Sequence, residues 1–193
     1  PNFIWTWDPN LGNKGAYVTI LIPSGLNTTS SEASQFIQPG QAFLVQTSAN
    51  GPANISFNES AKAVDESPLL VFSSQSPMIN MRLYTQDAIL NGDTASDGLI
   101  INFKESGNNS LDDFDAYKFN NIDENIARNV NGVNISIEER SLPQDNEILD
   151  IFTYGYASDD YVFVFDLQNL DTGVDTYLID NFTDEVTLLH SGL

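Results

Sequence analysis

Apolar and polar side chains alternate along most of this chain in short runs, with turn-forming residues recurring at intervals of about a dozen positions. The runs fall at residues 3–7, 16–22, 42–46, 54–57, 79–84, 99–103, 116–119, 133–138, 148–154, 161–167, 174–179 and 186–189. Within 133–138, Val133, Ile135 and Ile137 share one parity, and Asn134, Ser136 and Glu138 the other. Ile79, Met81 and Leu83 stand against Asn80, Arg82 and Tyr84 in the same way. A period of two puts successive side chains on opposite faces of a strand, so these runs predict half-buried antiparallel strands. The run 161–167 differs. Tyr161, Phe163, Phe165 and Leu167 make one face, while Val162 and Val164 make the other apolar too. That predicts a central strand covered on both sides, or one lying beneath a long loop.

Between the runs stand Asn50-Gly51, Asn91-Gly92, Asp97-Gly98 and Asn131-Gly132, each able to supply the positive φ of a tight turn. Pro39-Gly40 and Gly51-Pro52 break elements as well. Helix is expected to be scarce, with room for a turn or two at 61–66, 87–90 and 123–130. Residues 25–34, rich in Ser, Thr and Asn, read as a long surface loop, and 73–77 as a shorter one. No repeat, low-complexity tract or linker divides the chain. Many strands with little helix must cover their apolar faces with one another. The expected fold is therefore all-β: one domain over 1–193, an antiparallel two-sheet β-sandwich of jelly-roll type.

Composition narrows the function more than the fold. Twenty-seven acidic residues against seven basic ones leave a formal charge of −20. Such a surface repels phosphate backbones and anionic headgroups, which argues against nucleic acid as a partner and against anionic membrane surfaces. No run is long and apolar enough to span a bilayer, so membrane insertion is not expected. Asp and Asn, both abundant here, bond their own backbone and tolerate left-handed turns, which a loop-rich β fold needs for geometry alone. The absence of cysteine excludes disulfides, thiolate metal sites and a cysteine nucleophile. The chain opens on Pro1 with no initiator Met, as expected of a processed product or an excised piece.

Candidate chemistry is thin. The sole histidine, His190, has no partner for triad or zinc chemistry, and no nucleophile elbow, phosphate loop or dinucleotide fingerprint is present. A pair of carboxylates across a sugar cleft, as in glycosidases, is the one catalytic device such a composition can hide. Calcium is the candidate cofactor, although none is required. Asp112, Asp113 and Asp115 cluster before 116–119, and Asp93 and Asp97 flank a turn, but neither group has EF-hand spacing. Trp5 and Trp7 lie two apart, hence on one face, where paired indoles either pack a core or stack on a sugar ring. Tyr154 and Tyr156, on either side of Gly155, raise the same alternatives.

Certain phrases, taken in order, resemble a known family. They are Ile4-Trp5-Thr6-Trp7-Asp8-Pro9-Asn10, Gly15-Ala16-Tyr17-Val18, Ile37-Gln38-Pro39-Gly40-Gln41-Ala42-Phe43-Leu44-Val45 and Asn54-Ile55-Ser56-Phe57-Asn58-Glu59-Ser60. Phe114-Asp115-Ala116-Tyr117-Lys118 and Tyr177-Leu178-Ile179-Asp180-Asn181-Phe182-Thr183 follow. This order resembles the β-sandwich module that precedes the sorting tail in large exported Bacteroidetes (flavobacterial) proteins secreted by the type IX system. The resemblance implies a secreted or cell-surface location and a structural rather than catalytic role. Relatives carry a further strand upstream and a sorting domain downstream, so this chain is expected to be a piece of a longer protein whose missing strand another domain or chain supplies. Asp93-Thr94-Ala95 is similar to the short O-glycosylation motif of that phylum.

Three readings of function follow. The first is a non-catalytic structural or adhesive module, contacting other domains of the same or a neighbouring extracellular chain. The second is a carbohydrate-binding module on a polysaccharide-degrading enzyme, with polysaccharide as partner. The third is a concealed glycoside-active site.

Overall fold

A computed structural model describes residues 2–47, 49–63, 76–170 and 174–190. Eleven strands account for nearly all of the regular structure there. They are β1 (Phe3–Asp8), β2 (Ala16–Leu21), β3 (Met78–Thr85), β4 (Asp97–Phe103), β5 (Ala116–Tyr117) and β6 (Asn125–Val130), then β7 (Val133–Arg140), β8 (Ile151–Tyr154), β9 (Tyr161–Gln168), β10 (Thr176–Asp180) and β11 (Glu185–Leu189). One short helix, α1 (Gln86–Asn91), follows β3 and coincides with the expectation at 87–90. The Thr85 side chain caps it by accepting the Ala88 N–H, and Gly92 closes it in the left-handed region at φ 73°. Of the expected helical stretch at 61–66, a single 3-10 turn, Glu59–Ala61, is seen, and 64–66 lie outside the described residues, as do 73–75 of the expected short loop.

The strands form three sheets. β1 and β2 pair antiparallel with Phe3 opposite Leu21 and Trp7 opposite Tyr17. β10 and β11 make a second two-stranded hairpin. The remaining seven strands form one curled sheet in the order β8-β6-β7-β4-β3-β9, with β5 alongside β7. Its pairing is mixed rather than purely antiparallel, because β7 runs parallel to β4. After β4 the chain runs through 104–124, meeting the sheet at β5, and continues as the β6–β7 hairpin, whose second strand has the direction of β4. No local pattern encodes that choice. The hairpin itself is local: Asn131 and Gly132, at φ 51° and 88°, form the tight turn that suits the right-handed twist of its strands.

Several expected elements are corrected. Segment 123–130 is strand, not helix: β6 is hydrogen-bonded to β7 on one side and β8 on the other. Pairing on both edges outweighs a weak local helix preference. Residues 42–46 contribute only a bridge, in which Trp5 and Leu44 exchange backbone hydrogen bonds of 3.1 and 2.8 Å. Residues 54–57 form no strand, and Ile55 and Phe57 are exposed. Run 116–119 shrinks to two paired residues, with a register shift between Ala116 and Tyr117. Of the two placements expected for run 161–167, the central one is not seen among the described residues: β9 stands at one end of the large sheet and pairs with β3.

Two apolar interfaces position the first hairpin. On one face, Phe3 and Trp5 pack against Met78, Ile100, Ala116 and Ile137 of the large sheet. On the other, Ile4, Ala16, Val18 and Ile20 pack with Leu11 beneath Ile37, Phe43 and Val45. A two-stranded hairpin is marginal in water, and this one is held because both faces are covered. Residues 25–34 therefore do not all lie at the surface: Thr28 and Thr29 are buried, and Asn27 orders the segment by donating to the carbonyls of Ser31 and Ala33. A third cluster, Met81, Leu99, Ile101, Phe103 and Ile126, packs with Leu149, Ile151, Phe163 and Phe165.

Candidate functional site

Trp5 and Trp7 share a face of β1, as their spacing predicts, yet their environments differ. Trp5 is 1% exposed. Its indole N–H donates to the Tyr117 carbonyl at 3.1 Å, and Phe119 meets it edge-on with ring centroids 5.2 Å apart. The Trp5 ring is thus part of the contact between the first hairpin and the large sheet. Trp7 is half-buried, T-shaped against Tyr17 at 5.0 Å and laid over Gly15. Gly15 sits at φ 85°, and a Cβ there would lie 2.7 Å from the indole, so the turn needs glycine for both conformation and space.

The acidic candidates divide. Asp93 is exposed and caps α1 by donating its N–H to the Ala88 carbonyl. Asp97 opens β4, is fully buried, and pairs with Lys118 Nζ at 2.5 Å while accepting the Ile126 N–H at 2.7 Å. Lys118 stands directly against its charge. Burial pushes its pKa up, opposed by Lys118 and by the Ile126 N–H. Asp112 builds a turn, accepting the Phe114 N–H at 2.8 Å. Asp115 is buried, and both its oxygens accept backbone N–H groups, from Asp112 at 2.9 Å and Glu139 at 3.0 Å. Its pKa is raised to about 6, first by burial and further by the charges of Asp112 and Glu138. Among the described residues, no three acids or histidines converge as metal ligands.

One depression does collect residues from both candidate sets. Asn2, Phe3, Trp5, Gln46, Thr47, Asp113 and Asp115 line a pocket of about 230 Å³. Asn2 Nδ2 donates to the Asp113 carbonyl at 2.9 Å, tying the start of β1 to the acidic turn. The pocket offers amides, a hydroxyl and the exposed carboxylate of Asp113 around an aromatic floor. It is smaller than a typical small-molecule site, and its second carboxylate already serves the backbone.

Elsewhere the candidates stand apart. His190 is exposed just after β11. Thr94 donates its hydroxyl to the Asn10 carbonyl at 2.8 Å. Tyr154 bonds Asn120 at 2.7 Å, and Tyr156 packs on Tyr161 with centroids 4.8 Å apart.

Sequence reasoning missed the buried ion pairs. Glu138, 2% exposed, lies between Arg128 Nε at 3.0 Å and Arg140 Nη1 at 3.2 Å, and Arg140 also bonds Glu147. Three of the seven cations (Lys118, Arg128 and Arg140) thus neutralise carboxylates inside the fold. A signal was present in Lys118, which lies within the run 116–119, and in Arg140, two residues after the run 133–138, in a chain with few cations.

Compared with known proteins, the chain matches no family model, no curated protein and no solved structure.

Proposed function

We propose that this chain is a non-catalytic β-sandwich module of a secreted or cell-surface protein, of the kind found ahead of a type IX sorting tail, and that it acts as spacer or adhesive element. The observation that carries this reading is the filling of the space between the β1–β2 hairpin and the large sheet: Trp5, Phe3, Met78, Ile100 and Ile137 occupy it. A sandwich built this way spends its aromatic residues on rigidity. The buried pairs of Asp97 with Lys118 and of Glu138 with two arginines fit the same role, because they tie strands together inside the fold.

Contact with neighbouring domains is part of the proposal. β8 lies at one end of the large sheet and pairs with β6, and its Phe152 is half exposed. On β10 and β11, Tyr177, Ile179, Val186 and Leu188 oppose one another in register and are all exposed. Such apolar strand surfaces suit docking against an adjoining domain.

The polysaccharide-binding reading is second. It is favoured by the pocket of Asn2, Gln46, Thr47 and Asp113 beside aromatic residues. Pull-down of the purified chain on cellulose, chitin and xylan, with a reducing-sugar assay on the same samples, separates the readings. The module reading expects protein in the supernatant and no new reducing ends. Retention that Asp113→Ala abolishes would replace it with sugar binding, and new reducing ends would replace it with catalysis. Calcium is not required in this proposal, so chelator and added calcium are expected to leave the thermal midpoint in place at constant ionic strength.

A further inference from the structure

The geometry points to a covalent staple: an amide bond between Lys118 Nζ and Asp97 Cγ, formed by the folded chain on itself. The two side chains are 2% and 1% exposed, and Nζ stands 2.5 Å from Oδ2, one bond away from the carbon it would attack. Leu83, opposite Asp97 in the strand register, and Ile126 are both fully buried. Oδ2 accepts the Ile126 N–H at 2.7 Å, whereas Oδ1 is buried with no hydrogen-bond partner. The two oxygens are therefore already distinguished: one is held by a backbone donor and the other is unheld.

The step balances within the pair. The ammonium passes a proton to Oδ2, the oxygen that Nζ already bonds, and burial favours the resulting neutral amine and neutral acid over two charges. That burial also raises the Asp97 pKa supports this transfer. The Nζ lone pair then adds to Cγ and charge gathers on Oδ1, which becomes the amide oxygen. Nζ sheds a second proton to Oδ2, the Cγ–Oδ2 bond breaks, and water leaves from the side of the Ile126 N–H. One ammonium and one carboxylate become one amide and one water, with no change of oxidation state and no co-reactant. Amide formation is uphill for free partners in water, but a fixed pair gains an effective concentration of roughly 10⁵–10⁸ M. The link would join the start of β4 to the residue after β5, 21 positions on, in a chain that has no cysteine for any other staple.

Intact mass of the purified full chain under denaturing conditions, followed by a tryptic digest, tests this. The expected mass is about 18 Da below the sequence value, with a branched peptide joining the Asp97 and Lys118 fragments and no cleavage after Lys118. Lys118→Arg keeps the charge but cannot form the link, and it is expected at its full mass. A wild-type chain at the full sequence mass overturns the inference whether or not the variant folds. So does a water loss that persists in Lys118→Arg, because the Gly98 nitrogen can also attack Cγ of Asp97 and expel water as a succinimide.

Discussion

Replacing Trp5 by alanine removes the largest side chain in the interlayer contact. The indole is 1% exposed, packs with Phe3, Met78, Ile100, Ala116 and Ile137, meets Phe119 edge-on and donates to the Tyr117 carbonyl. Truncating a buried Trp to Ala costs about 3–5 kcal/mol, transfer and cavity terms together. For a chain of this length each kcal/mol lowers the thermal midpoint by about 2–4 °C, so a fall of roughly 6–20 °C is expected. Urea unfolding followed by far-UV circular dichroism is the assay, with an unchanged m-value required so that the native state, not its compactness, is being compared. Trp7→Ala is the internal control. That ring is half-buried and packs mainly on Tyr17 and Gly15, so its loss is expected to cost less than half as much. If Trp5→Ala costs under about 1 kcal/mol, or no more than Trp7→Ala, the indole is not wedged between layers and the scaffold argument fails.

Glu138→Ala leaves Arg128 facing no carboxylate and deprives Arg140 of one of its two partners, so a loss of about 3–5 kcal/mol is expected in urea titration; a loss under 1 kcal/mol would mean the pairs are wet. Asp115 has a folded pKa of about 6 against an ordinary 3.8, so the fold prefers its protonated form. Its contribution to stability is then fully present below about pH 4 and lost as pH rises through 6, and Asp115→Asn should flatten the stability curve between pH 4 and 6; an unchanged slope would contradict this. With a net charge of −20, raising NaCl from about 10 mM to 500 mM shortens the screening length severalfold and should raise the urea midpoint; a midpoint that falls would show that surface pairing outweighs self-repulsion.

That this chain is built of strands is legible in the order of its residues alone. The alternation of Val133, Ile135 and Ile137 with polar neighbours, and the Asn131-Gly132 turn before it, are local facts that reappear as β7 and its turn, although tertiary packing buries Ser136 and Glu138 on the polar face as well. Helix α1 is legible for the same reason. What tertiary structure alone decided is which strands meet. β7 runs parallel to β4 because of how a long excursion through 104–124 returns, and β6 is a strand because β7 and β8 flank it. The site followed the same division. Spacing placed Trp5 and Trp7 on one face, but only packing against the large sheet buried Trp5 and left Trp7 at the rim. The acids can be counted in the sequence, but only three-dimensional proximity brings Asp97 to Lys118 and Glu138 to two arginines. The physical reason is range: backbone geometry and side-chain period act over a few residues, while burial and charge pairing depend on neighbours that the chain brings together from 10 to more than 100 positions away.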